Sequence, residues 1–180
     1  MPGSPPMEAT ALTCRSCGAP LLESVVDLGA MPLANSYVKP PHTTMADIAY
    51  PLQAYVCSHC WLVQVPPMAT PAHIFSDYAY FSSFSDTWLA HCQAYAKAMI
   101  ARYGLQPTAQ VLEIASNDGA VLAQFQQAGV QVLGIEPAQN IAAHANAKGI
   151  PTRALFFGKK TAQGLVDEGI RADLIVANNV

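Results

Sequence analysis

Four cysteines have the types and spacing to hold a metal ion. Cys14-Arg15-Ser16-Cys17 and Cys57-Ser58-His59-Cys60 are two Cys-x-x-Cys pairs separated by the 39 residues 18–56. Two thiolates three positions apart can turn both sulfurs toward one point, and two such turns supply a tetrahedral site for zinc. Gly18 follows the first pair and helps the chain turn there. With all four positions filled by Cys14, Cys17, Cys57 and Cys60, such an ion is structural and not catalytic. A redox dithiol or two buried thiol pairs are the other readings, but redox motifs open a helix beside a strand and two copies would be odd. The fifth cysteine, Cys92, falls on an apolar helical face and reads as a small core residue. His42, His73, His91 and His144 have no readable partner and read as solvated side chains.

A second group of residues has the chemistry of a ligand site. Glu113-Ile114-Ala115-Ser116-Asn117-Asp118-Gly119 forms a strand-to-helix turn, where helix N-terminal amides face a ligand. Glu136 ends the next apolar strand, 23 positions after Glu113, where a carboxylate can accept both hydroxyls of an adenosine ribose. The Gly-x-Gly-x-x-Gly pattern is missing, because Ala115 and Asn117 stand where glycines are expected. A diphosphate then has few close amides to land on, which disfavours NAD. S-adenosylmethionine carries no phosphate, and its zwitterionic amino-acid end suits Ser116, Asn117 and Asp118. The alternative is a plain helix cap made by Asn117 or Asp118, with Glu136 merely solvated.

The elements that must position these groups are legible in the pattern. Trp88, Cys92, Tyr95, Met99 and Tyr103 recur at helical spacing, so a helix is expected from Asp86 to Tyr103 with Ser85 as N-cap and Gly104 as terminator. Beyond Gln110 short apolar strands alternate with helices. Strands are expected at 111–114, 131–135, 151–155 and 173–177, with helices around 121–125, 141–148 and 159–168. That alternation predicts a parallel sheet. Residues 12–67, by contrast, are proline-bearing without a sustained period and predict a small loop-rich module that needs a staple. The expected organisation is a loose tail over 1–11, a zinc-binding module over 12–67, an aromatic linker and helix over 68–104, and a partial sheet domain over 105–180.

Composition narrows the function classes. The 180 residues include 9 Lys+Arg against 12 Asp+Glu, a net charge of −3, with 52% apolar and 12% charged residues. This is a globular composition without the basic footprint that phosphate backbones attract, so nucleic acid is not an expected partner. No apolar run is long enough to span a bilayer, and the start Met1-Pro2-Gly3-Ser4-Pro5-Pro6 resembles no secretory leader. No membrane partner is expected, and the expected location is cytoplasmic, where disulfides are the less usual fate of cysteine.

Taken in order, these motifs resemble the N-terminal part of the S-adenosylmethionine-dependent sugar C-methyltransferases that act on C3 of nucleotide-linked deoxysugars. The likeness is carried by Cys14/Cys17, Val26-Asp27-Leu28-Gly29-Ala30-Met31-Pro32-Leu33-Ala34-Asn35, Cys57/Cys60 with Trp61-Leu62-Val63-Gln64, Tyr78-Ala79-Tyr80-Phe81-Ser82-Ser83, Glu113 to Gly119, and Gly134-Ile135-Glu136-Pro137. It runs from about residue 12 to the end. The resemblance implies an α/β chain: a small zinc module followed by a partial Rossmann-like parallel sheet of the class I methyltransferase type, with flanking helices. It further implies that Glu113, Ala115, Ser116, Asn117, Asp118 and Gly119 line the methionine end of the cofactor and that Glu136 binds its ribose. Phe156 or Phe157 would flank the adenine, with core packing as the alternative, and Asn178 would face the reacting centre. Tyr80 or Tyr78 would reach the sugar as acid/base or enolate-stabilising phenols, or would instead form an aromatic cluster pinning the zinc module. The small-molecule partner implied is a 4-keto sugar on a nucleoside diphosphate.

A complete sheet of this type has seven strands, so the chain is expected to be a fragment with an apolar sheet edge, little turnover of its own, and its C3 base beyond Val180. The rival readings are a zinc-finger RNA methyltransferase, which would want clustered Lys/Arg, and a non-catalytic zinc-stapled interaction module.

Overall fold

A computed structural model of the chain describes residues 12–37, 48–178 and 180. The expected tail at 1–11 and His42 lie outside the described residues. The chain divides between Thr70 and Pro71 into two units.

The first unit is not the irregular module that its prolines predict. Three strands, β1 (Glu23–Pro32), β2 (Ala49–Val56) and β3 (Val63–Gln64), form an antiparallel sheet in the order β1-β2-β3. The prolines fit because of where they sit. Pro32 ends β1, and Pro51 pairs with Ala30 in the part of β2 that β3 does not reach, a one-sided stretch of sheet where proline is tolerated. A register shift between Asp27 and Ala30 marks a bulge, and the Asp27 carboxylate accepts a hydrogen bond from the Gly29 amide at 2.8 Å within it. Every residue of β1 is exposed. Among the described residues the buried apolar core here is Cys14, Leu21 and Cys57, with Tyr55 and Leu62 packed against it, too little apolar surface to hold a sheet without a staple.

The second unit is built as the alternation predicts. A short helix α1 (Pro71–Phe75) and a 3-10 turn at Ser82–Phe84 occupy the aromatic stretch, where no regular element is legible in the sequence. Helix α2 (Asp86–Tyr103) follows; the Ser85 hydroxyl accepts from the Trp88 amide, and Gly104 closes the helix in the left-handed conformation. Cys92 and Ala96 are its buried residues, and Trp88, Tyr95, Met99 and Ile100 pack partly buried against the same core. Tyr103 does not continue that stripe. It is exposed in the last turn, with the Arg102 guanidinium 5.5 Å from its ring centroid, because the core ends one turn earlier at Ile100.

Four parallel strands complete the unit: β4 (Gln110–Ile114), β5 (Gln131–Ile135), β6 (Thr152–Arg153) and β7 (Leu174–Ala177), in the order β6-β5-β4-β7. The helices α3 (Ala120–Gln127), α4 (Gln139–Ala147) and α5 (Lys159–Asp167) connect them. Side chains alternate across the sheet. Val111, Val132 and Val176 join a core with Cys92, Leu122, Phe125 and Ala145, whereas Leu112, Leu133 and Ile135 join another with Leu165 of α5. The expected third strand is shorter than 151–155, being reduced to the two residues that pair with Gly134 and Ile135. In β7, Ile175 is exposed and the strand pairs only with β4 among the described residues. The chain order reverses direction between β4 and β7, and in open sheets of this kind ligands sit at the carboxyl ends of the strands beside that reversal.

Candidate functional site

In the first unit, the two Cys-x-x-Cys turns are built alike. The Gly18 amide donates to the Cys14 carbonyl at 2.9 Å, and the Trp61 amide donates to the Cys57 carbonyl at 2.9 Å. Gly18 and Trp61 both have positive φ, 76° and 63°, so each turn ends in the same left-handed residue. The four sulfurs of Cys14, Cys17, Cys57 and Cys60 all lie within 4.8 Å of one another, with Cys14–Cys60 at 3.5 Å and Cys17–Cys57 at 3.6 Å. A tetrahedral ion with bonds of about 2.3 Å needs sulfurs about 3.8 Å apart, and this cluster brackets that spacing. Nearby donors favour thiolates at Cys14 and Cys57, whereas burial and the neighbouring thiols push Cys17 up to about 12. The Cys17 amide first, and then the Gln64 side chain at 3.2 Å, hold the Cys14 thiol down to about 6. The amides of Cys60 and His59 lower that of Cys57. Gln64, buried, is fixed in turn by accepting from the Arg15 amide at 3.0 Å. The donor set fits a closed structural zinc site, and Gln64 is a supporting residue that no spacing rule picks out.

In the second unit, a cavity of about 420 Å³ opens at the carboxyl ends of the parallel strands, a size suited to a small-molecule ligand. Glu113 and Ile114 come from the end of β4, Ile135 from the end of β5, Glu136 from just beyond β5, and Asn178 from just beyond β7. Ala115, Ser116 and Asn117 of the turn after β4, Phe156 and Phe157, and Tyr78 and Tyr80 also line it. These expected residues are therefore brought together. Trp88, Phe75 and Pro137 also line the cavity, although α2's apolar stripe marks Trp88 only as a core residue.

Two expected residues are not in the lining. Asp118, 1% exposed, points away: its carboxylate sits 3.1 Å from the Lys148 ammonium and accepts a hydrogen bond from the Ser83 hydroxyl. Gly119 caps α3 with φ 78°, and a Cβ there would come 2.8 Å from the Ile150 side chain. Its role is close packing of this turn against the chain that leads from α4 into β6, which a sequence shows only as a glycine. Neither Asn117 nor Asp118 caps the helix through its side chain.

The electrostatics of the cavity centre on two acids. Glu113 is 4% exposed, and its Oε2 is buried without a hydrogen-bond partner, as are Ser116 Oγ and Asp118 Oδ1. Burial, then the nearby Glu136 and Asp118 carboxylates, push Glu113 up to about 8. Glu136 is raised chiefly by burial, against the opposing effect of the Ala138 and Asn117 amides, which donate to it at 2.9 Å each. Cys92 is the inert core thiol expected of it, fully buried, with burial and then Glu113 raising it to about 11.

Residues 14–75 match a family described as "Putative zinc binding domain". Over 139 residues the chain is 34% identical to C-methyltransferase NovU of Streptomyces niveus, an alignment covering 77% of this chain and 33% of that protein. The likeness expected from the order of motifs is thus met by a homologous C-methyltransferase, of whose length the chain spans about a third. Among solved structures, magnesium protoporphyrin IX methyltransferase from Synechocystis with bound SAM is 18% identical, with a TM-score of 0.39 over 53% of this chain and 47% of that one. The plantazolicin methyltransferase BpumL in complex with SAH is 17% identical, with a TM-score of 0.35 over 53% and 43%. Among the described residues no helix is long and apolar enough to cross a membrane.

Proposed function

We propose that this homologue of a C-methyltransferase carries the metal module and the donor site of an S-adenosylmethionine-dependent enzyme that methylates C3 of a 4-keto sugar on a nucleoside diphosphate. One observation carries the donor reading: the cavity at the strand ends holds a buried acid with an unpartnered oxygen, Glu113, beside a second acid, Glu136, that closes the next strand. The donor fits these groups. Its amino-acid end offers an ammonium to the carboxyl of Glu113, which lines the cavity. Glu136 already accepts two amides, yet a carboxylate has about four acceptor positions and can still take ribose hydroxyls. Phe156, Phe157 and Asn178 line the cavity; in this reading the two rings supply flat apolar surface for an adenine and Asn178 is the residue turned toward the reacting centre.

Bound there, S-adenosylmethionine supplies an electrophilic methyl group. The chain's own residues orient the reactants and exclude water. The sugar's C4 ketone acidifies the C3 proton, and the phenol of Tyr80 or Tyr78 donates a hydrogen bond to the C4 oxygen as negative charge develops on it. None of the residues present is assigned as the base. Cys14, Cys17, Cys57 and Cys60 hold zinc in a closed, structural site. The module over 12–67, the linker and helix over 68–104, the sheet domain over 105–180 and a cytoplasmic location belong to the same reading. Calorimetric titration with S-adenosylhomocysteine tests it. The expected result is saturable binding that E136A weakens by about tenfold or more, the loss of one charge-assisted hydrogen bond. No heat and no thermal shift with the native chain overturn it.

A further inference from the structure

The segment between α1 and the 3-10 turn is tied to the sheet domain by side chains that each bond its backbone. Asn140 accepts from the Tyr78 amide at 3.1 Å and donates to the Tyr78 carbonyl at 2.7 Å. Asn117 donates to the Tyr80 carbonyl at 3.0 Å and accepts from the Ser82 amide at 2.9 Å. The Ser83 hydroxyl then meets Asp118 and Lys148, the latter at 3.0 Å. Two asparagine amides therefore do for this strap what a neighbouring strand's peptide groups do in a ladder. The strap carries Tyr78 and Tyr80 into the cavity wall.

Asn117 has a second attachment. Its backbone amide donates to Glu136 at 2.9 Å, and its φ of 49° lies in the left-handed region, where asparagine is among the few tolerated side chains besides glycine. Its side-chain oxygen also accepts from the Asp118 amide at 2.9 Å. With its carboxamide engaged on both ends, Asn117 has little capacity left to hold a ligand through that group.

We infer that Asn117 and Asn140 are positioning residues that latch the 78–83 strap, and with it the two tyrosines, across the cavity, and that the side chain of Asn117 is not a cofactor ligand. The place given to the tyrosines rests on the methyltransferase reading; the latch itself does not. N117G separates the two, because glycine keeps the positive φ and the amide to Glu136 and deletes only the carboxamide. Hydrogen exchange on the ligand-free chain should show protection at the Ser82 amide falling about tenfold in N117G, and at Tyr78 in N140A, the equivalent of about 1.4 kcal/mol each. Strands β4 and β5 should keep native protection. Exchange at Ser82 unchanged in N117G overturns the latch whatever the protein binds. In the complete enzyme, N117G should lower kcat about tenfold or more while the affinity for S-adenosylhomocysteine stays within about threefold. A loss confined to donor affinity, with kcat intact, overturns the positioning role and returns Asn117 to the donor site. Failure of the native chain to bind S-adenosylhomocysteine is a separate result, which removes the function proposed above and leaves the exchange measurement to decide the latch.

Discussion

Replacing Glu113 by glutamine (E113Q) keeps the shape of a buried side chain and deletes its ability to ionise. In the folded chain Glu113 is raised from 4.5 to about 8, by burial first and by Glu136 and Asp118 second. The unfolded chain ionises this group above pH of about 4.5, whereas the folded chain keeps it protonated until about pH 8. Its contribution is thus fully present at acid pH and is lost progressively as pH rises through that window, at about 1.4 kcal/mol per pH unit. Between pH of about 5 and 8 the native chain should lose about 4 kcal/mol through this residue alone. E113Q should lose none of it and should be the more stable protein at neutral pH by about 3 kcal/mol. Urea unfolding followed by the helical circular dichroism signal reads the right part of the molecule, because all the helices among the described residues lie between Pro71 and Val180. Native and E113Q midpoints measured across that pH range should diverge steadily. Parallel pH profiles would refute the argument that this carboxyl is buried without compensation.

Three further outcomes follow from the packing. Stripping the metal with a chelator should unfold the β1-β2-β3 unit, whose buried apolar core among the described residues is Cys14, Leu21 and Cys57, and leave the helical signal intact; structural zinc is worth about 10 kcal/mol or more to such modules, so retention of native exchange protection in β2 would contradict a structural role. G134A should cost about 1–3 kcal/mol by thermal unfolding, because a Cβ there would lie 2.8 Å from Thr152 Oγ1 and closer still to Ser116 Oγ; an unchanged melting temperature would show that the turn has room to yield. W61G should stabilise the metal module by about 1 kcal/mol or less against urea, since φ of 63° strains a bulky residue and the ring is 75% exposed and packs little; a loss of stability would mean that the exposed indole makes contacts worth more than the strain.

Local chemistry was enough to read much of this molecule. Strands β4 and β5 are short apolar runs bounded by turn residues, Ser85 and Gly104 bracket α2, and cysteines three apart converge whatever surrounds them. Those features depend on neighbours along the chain, so the amino-acid order determines them. The antiparallel sheet of the first unit was hidden because the prolines lie where strand pairing is one-sided, which is a property of partners and not of the residues. The roles of Asn117 and Asp118 were hidden for the same reason: adjacent polar residues in one turn take different partners, one the backbone of Tyr80 and Ser82, the other the Ser83 hydroxyl and Lys148 thirty positions away. The charge state of Glu113 was hidden too, because burial and the approach of two other carboxylates exist only once strands distant in sequence lie side by side. Spacing therefore named the acids and thiols of this protein, and tertiary packing decided which of them face a ligand, since direction and desolvation are set by groups that meet only in the folded chain.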